Sequence, residues 1–195
     1  MSHLRPALVL LIFFTLLTGL VYPLGMAGLA QVIFPAQANG SLVTRDGTVI
    51  GSSLIGQNFT SDRYFQGRPS ATSTTDPADA GRTVDAPYNA ASSTGSNLGP
   101  SSKALKEAIE ARAKALGAGP QPADLVTSSA SGLDPHVSPA GALVQLSRVA
   151  KARNLPVVEL QSLVDRHIEG RHFGILGEPR VNVLALNIAL DSLKP

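Results

Sequence analysis

Residues 6–34 read PALVLLIFFTLLTGLVYPLGMAGLAQVIF, 29 positions without a charged side chain. Arg5 precedes the stretch and the next charge is Arg45. A hydrocarbon core about 30 Å thick is crossed by roughly 20 apolar helical residues, so this segment is long enough to span a bilayer. Gly19, Pro23, Gly25 and Gly28 would weaken a soluble helix. A membrane helix tolerates them, and small residues let a neighbouring helix approach closely. The competing reading is a cleaved signal peptide, because Ala36-Gln37-Ala38 fits a small-x-small cleavage pattern. The apolar part of such a signal usually runs about 7–15 residues, roughly half of what stands here, which favours a retained anchor. Arg5 and the α-amino group lie before the span, and Arg45, balanced by Asp46, lies after it. The positive-inside bias is slight, and it favours a cytoplasmic N-terminus with an exported C-terminal part.

Beyond the span, residues 41–44 and 48–50 flank Asp46-Gly47, a hairpin turn signal. The composition changes over 67–102, where Ser, Thr, Gly, Pro and Asn supply 22 of 36 residues. Such a segment cannot bury a core of its own. It is expected to be either a flexible linker or, given its length, a loop docked on a partner. Ser102 precedes a helical repeat over 103–116, with Leu105, Ala108, Ile109, Ala113 and Leu116 on one face and Gly117 as the stop. A short strand is expected at 125–127. Ser138-Pro139 reads as an N-cap followed by proline at the first helical position, starting a helix to about Asn154. Pro156 opens another helix to about Ile168, and Asn182 caps an apolar helix holding Val183, Leu184, Leu186, Ile188 and Leu190. The expected fold class is α+β, with a single N-terminal transmembrane helix (1–35) followed by one small mixed α/β extracytoplasmic domain (36–195) carrying the long polar loop 67–102.

Composition narrows the function. The chain has 195 residues, 16 Lys+Arg against 14 Asp+Glu, 5% aromatic residues, and no Trp or Cys. A formal charge of +2 and scarce aromatics argue against nucleic-acid binding. Without cysteine there is no disulfide, thiol nucleophile, iron–sulfur cluster or thiolate zinc site. The phosphate loop, the nucleophile elbow and the zinc-protease helix motif are all missing. His167 and His172 bracket Glu169, a loose set better read as a solvated helix end than as a metal site, which needs three or four convergent ligands. The richest stretch is SSASGLDPHVSP (128–139). Its hydroxyls, Gly132, Asp134 and His136 stand just before a helix start, where backbone N–H groups attract anions. Residues this close along one loop seldom converge as a catalytic triad. The plain alternative is that Asp134-Pro135 and Ser138-Pro139 shape a turn and cap a helix.

In this order, the RPAL start (5–8), Tyr22-Pro23-Leu24, GSSLIGQNF (51–59), YFQGRPSA (64–71), PYN (87–89), GSNLGP (95–100), DLVTSSASGLDPHVSP (124–139), RVAKARN (148–154) and LGEPRVNVLALNIALD (176–191) resemble the C subunit, KdpC, of bacterial Kdp potassium-transporting P-type ATPases. No single motif is diagnostic, but this many in register are specific. The resemblance implies a single-pass inner-membrane subunit with no enzymatic activity of its own and no cofactor of its own. Its partners would be a channel-like A subunit, an ATP-hydrolysing B subunit and a small F subunit. ATP would be met through B, and no nucleic acid is involved. The family's customary description, a catalytic chaperone that raises the B subunit's ATP affinity and so makes the chain nucleotide-binding, points here to Ser131, Gly132, Asp134, His136 and Gln145. The charge asymmetry opposes direct contact, since an exported domain does not meet ATP. The alternative under the same resemblance is a domain seated over the extracytoplasmic mouth of the A subunit. A different class altogether is an exported binding protein or hydrolase with a long signal or anchor.

Overall fold

The computed structural model describes residues 3–193. Met1, Ser2, Lys194 and Pro195, the outer ends of the two expected domains, lie outside the described residues. Two separately packed units make up the chain, one running to Ile50 and the other from Gly51 onward.

In the first unit, α1 (Leu4–Leu16) and α2 (Tyr22–Ile33) form one apolar rod through a π-helical turn at Leu17–Val21. The turn has a local cause. Pro23 stands in the first turn of α2 and has no N–H to offer the carbonyl four residues back, so the ladder widens just before it. Leu4–Ile33 is long and apolar enough to cross a membrane, and none of it is buried within the protein. A short α3 (Pro35–Ala38) follows. Then β1 (Leu42–Arg45) and β2 (Thr48–Ser52) pair about Asp46 and Gly47, both at positive φ, as the Asp-Gly turn signal requires.

The second unit is mixed α/β, in agreement with the expected fold class. Its core is built by α7 (Leu146–Arg153), α8 (Val157–Arg166) and α9 (Val183–Ser192). Leu160, Leu163 and Val164 of α8, and Val183, Leu186 and Leu190 of α9, recur at helical spacing and close over Val149, Ala150 and Phe65. Against these helices lies a three-stranded antiparallel sheet in the order β5 (His136–Val137), β7 (Arg180–Asn182), β6 (Ile168–Glu169). His136 pairs with Asn182 and Val137 with Val181, while Ile168 also pairs with Val181. Asn182 ends β7 and caps α9, its Oδ1 accepting the Ala185 N–H at 3.1 Å.

Several sequence expectations need correction. The segment expected as a strand at 125–127 is a single helical turn, α5 (Ala123–Val126), that buries Leu125 and Val126. A segment of three or four residues carries no periodicity to separate the two states, and the Thr127 hydroxyl closes the turn on the Ala123 carbonyl at 2.6 Å. The helix expected from Ser138 to Asn154 is two helices, α6 (Pro139–Leu143) and α7, broken at Val144-Gln145. The Gln145 N–H bonds the Ala142 carbonyl, and its side-chain amide takes up the Gly141 carbonyl at 2.9 Å. Residues after Pro156 are helical only to Arg166, because Ile168 and Glu169 pair with β7. The 67–102 stretch is no flexible linker. It holds an antiparallel hairpin, β3 (Ser73–Asp76) with β4 (Asp79–Asp85), and a 3-10 turn at Ala90–Ser92. Polar side chains organise it in place of an apolar core. Thr72 is buried and its hydroxyl donates to Ala86 O at 2.6 Å, while Asn89 Nδ2 reaches Ser73 O at 2.8 Å. The helix over 103–116 is found as α4 (Lys103–Leu116), with the Ser102 hydroxyl accepting from Leu105 N–H and Gly117 at φ 116° ending it.

Candidate functional site

Residues 65–71 belong to no helix or strand, so their buried backbone groups must find partners outside a sheet or helix ladder. Two buried amides supply them. Asn187 of α9 is 2% exposed; its Oδ1 accepts the Phe65 N–H and its Nδ2 donates to the Phe65 carbonyl, both at 2.9 Å. Gln145, 3% exposed, repeats the pattern on the next residue, accepting from Gln66 N–H at 2.8 Å and donating to Gln66 O at 3.0 Å. A side-chain amide presents one acceptor and one donor side by side, as a β-strand neighbour does. Arginines hold the upstream end. Arg148 donates to Asp62 O, Tyr64 O and Gln145 Oε1, and Arg153 donates to Arg63 O at 2.7 Å while pairing with Asp191 at 2.6 Å and stacking on the Tyr64 ring. Burial lowers the Arg148 pKa, partly offset by Asp62.

The 131–139 loop folds back on this ribbon. Ser131 Oγ accepts the Leu133 N–H at 3.1 Å, and its carbonyl accepts from Thr94 N–H and Ser93 Oγ at 3.0 Å each. Gly132 has φ +68°, and a Cβ there would lie 2.5 Å from the Thr94 carbonyl oxygen, so only glycine fits. Its own carbonyl takes the Ser70 hydroxyl at 2.7 Å. Asp134 Oδ1 accepts the His136 N–H at 3.0 Å, and Oδ2 pairs with Arg68 Nη1 at 3.0 Å. Burial alone would raise the Asp134 pKa, but the hydrogen bonds from His136 and Arg68 outweigh it and hold the carboxyl below its ordinary value. Ser138 caps α6 through Gly141 N–H at 2.9 Å, and Asp124 grips that cap, accepting from both Ser138 N–H and Oγ.

His136 links this loop to the sheet. Its Nδ1 lies 3.4 Å from Asp134, its Nε2 3.9 Å from Glu169, and Glu169 pairs with Arg180 at 3.0 Å. Arg180 Nη2 in turn meets His172 Nε2 at 3.1 Å, and His167 Nδ1 meets the Leu163 carbonyl at 2.8 Å. Among the described residues no group of three His, Asp or Glu side chains is placed to hold a metal ion.

Ser131, Gly132, Asp134 and His136 are therefore brought together in one loop, while Gln145 sits apart, at the edge of a cleft of about 440 Å³. Arg68, Tyr88 and Arg112 also line that cleft. Tyr88 donates its hydroxyl to the Arg68 carbonyl at 2.6 Å, and burial first, then the nearby Asp134 charge, pushes its pKa up to about 12. Arg112 Nη1 donates to Val126 O at 2.9 Å. Sequence reasoning missed the roles of Arg68, Tyr88, Asp124 and Asn187. Their polar side chains carried no local signal of which distant backbone groups they would meet.

Comparison with known proteins places the sequence in a family. A family model described as "KdpC: K+-transporting ATPase, c chain" matches residues 4–192. Proteins named potassium-transporting ATPase KdpC subunit from Methylobacterium nodulans and Methylorubrum populi are each 59% identical, over 99% of this chain and 98% of theirs. One of the same name from Rhodopseudomonas palustris is 59% identical over the full length of both chains.

Proposed function

Because the chain belongs to the KdpC family, the c chains of K+-transporting ATPases, we propose that it serves such a pump as a non-catalytic docking subunit that does not itself hold ATP. In this reading Leu4–Ile33 anchors it once in the inner membrane with the N-terminus cytoplasmic. The domain beyond stands outside the cytoplasm against a channel-like A subunit. Assembly depends on it, and it raises the ATP affinity of the hydrolysing B subunit by contact between subunits within a complex that also holds the small F subunit.

One observation carries the reading: the polar groups that would recognise a nucleotide already face partners inside the chain. All four hydrogen-bonding positions of the Gln145 amide are filled, by Gln66 N–H, Gln66 O, Gly141 O and Arg148. The nearest cation to the 131–139 loop, Arg68, is paired with Asp134. A carboxylate beside a triphosphate is repulsive unless a cation bridges them. The cleft bordered by Gln145, Arg68 and Arg112 favours the second reading, direct nucleotide contact. ATP dependence of potassium-stimulated hydrolysis separates the two, measured on the whole complex with wild-type or Asp134→Asn chain at equal incorporation. An unchanged half-saturating ATP concentration with lower complex yield is expected, and a many-fold change would overturn the docking reading. Topology has its own test. A thiol introduced at the exposed Ala118 should react with a membrane-impermeant reagent in intact spheroplasts, and labelling only after lysis would place the domain in the cytoplasm.

A further inference from the structure

The loop joining β6 to β7 exposes three large apolar side chains within a few residues of one another. Phe173 is 92% exposed, Ile175 76% and Leu176 57%. The tip is nevertheless shaped. His172 and Leu176 exchange N–H···O bonds of 2.9 Å in both directions, Gly174 N–H reaches Arg171 O at 3.1 Å, and Ile175 N–H reaches His172 O at 3.2 Å. Phe173 is held at φ +54°, a conformation disfavoured for a side chain of its size and one for which solvent offers no return. Such a pre-shaped apolar tip loses little conformational freedom on docking.

We propose that the 170–177 loop is a docking finger that inserts Phe173, Ile175 and Leu176 into an apolar recess on another subunit of the ATPase. The proposal rests on the docking function above. Two arguments select the occupant. Three side chains offer about 400 Å² at most, well short of the roughly 800 Å² per partner of a stable interface. The finger cannot hold a second copy of this chain alone, so its partner must already be kept close by other contacts, as a subunit of one complex is. Charge then disfavours a lipid surface. Arg171 is paired with Glu178 at 2.6 Å and Arg180 with Glu169 at 3.0 Å, so the flanks carry no cationic excess to draw anionic headgroups. A neutral, polar-rimmed apolar tip matches the centre-and-rim pattern of a protein interface.

The chain has no cysteine, so Gly170→Cys, in open space beside the tip, gives a single thiol for a polarity-sensitive fluorophore. The full-length labelled chain is measured alone in nanodiscs of phosphatidylethanolamine and phosphatidylglycerol, and in the assembled ATPase in the same lipid. A blue shift and lost access to an aqueous quencher, in the assembled state only, are expected. Phe173→Asp, with a side chain that meets solvent, should keep the wild-type melting temperature yet enter the complex about ten-fold or more less often in competition with wild type, while Phe173→Leu enters normally. Equal entry of Phe173→Asp with a water-exposed probe in the assembled complex would overturn the finger and leave the docking function standing. A chain that fails to join the complex at all would overturn both. Quenching by spin-labelled lipid in both states would assign the tip to the bilayer and overturn the proposal.

Discussion

Replacing Gln145 by alanine removes four hydrogen bonds and leaves the Gln66 N–H, the Gln66 carbonyl and the Gly141 carbonyl without their partners. A buried polar group stripped of its partner costs about 1–3 kcal/mol, and two backbone groups of the ribbon are affected on one residue. The site borders an open cleft, so water can re-satisfy part of the loss, and about 2 kcal/mol of local stability is the expected effect. At 1.4 kcal/mol per factor of ten this is roughly a thirty-fold faster opening of the ribbon. Hydrogen–deuterium exchange of the full-length chain in detergent reads it directly. Peptides covering 62–70 should exchange about thirty-fold faster in the variant, while α9, which holds Phe65 independently through Asn187, should change little. The assembled complex should then keep its half-saturating ATP concentration. Unaltered exchange over 62–70 together with a many-fold rise in that concentration would refute the reasoning and make Gln145 a nucleotide contact.

Three further outcomes follow from the geometry. Gly132→Ala places a Cβ 2.5 Å from the Thr94 carbonyl oxygen and 2.6 Å from Thr72 Cγ2 at positive φ, so a loss of about 2 kcal/mol or more is expected in denaturant unfolding, and a wild-type midpoint would contradict it. Asp134 has a folded pKa below its ordinary value of 3.8, so its contribution is present above that pH and is lost as pH falls through the folded value. Asp134→Asn should therefore be less stable than wild type by about 1 kcal/mol at neutral pH, with the gap closing below about pH 4; a gap that widens on acidification would be inconsistent with the Arg68 and His136 bonds. N-terminal sequencing of the membrane-extracted protein should begin at or near Met1, and a mature start at Asn39 would show that Leu4–Ile33 is a cleaved signal.

The parts legible in the sequence are those whose cause is local. The apolar run 6–34 needs only its own composition to be read as long enough for a bilayer. Asp46-Gly47, Ser102, Ser138 and Asn182 act within a few residues of themselves, as turn or cap, and each stands where sequence reasoning put it. The family was legible too, through many short motifs in register. What only the tertiary structure decided is non-local. Gln145 and Asn187 could be surface amides by their helical positions, yet they bond residues 79 and 122 positions away. The strands β5, β6 and β7 are two or three residues long, too short to show a period, and exist because distant partners meet. The 67–102 stretch read as unable to bury a core of its own, and so as a linker or a partner-docked loop, because it lacks apolar side chains. It is ordered by Ser70, Thr72, Tyr88 and Asn89, whose polar atoms bond backbone groups brought to them by the fold. A hydroxyl or amide carries no mark in the sequence of which backbone group it will meet, so hydrogen-bonded order of this kind is invisible until the chain is folded.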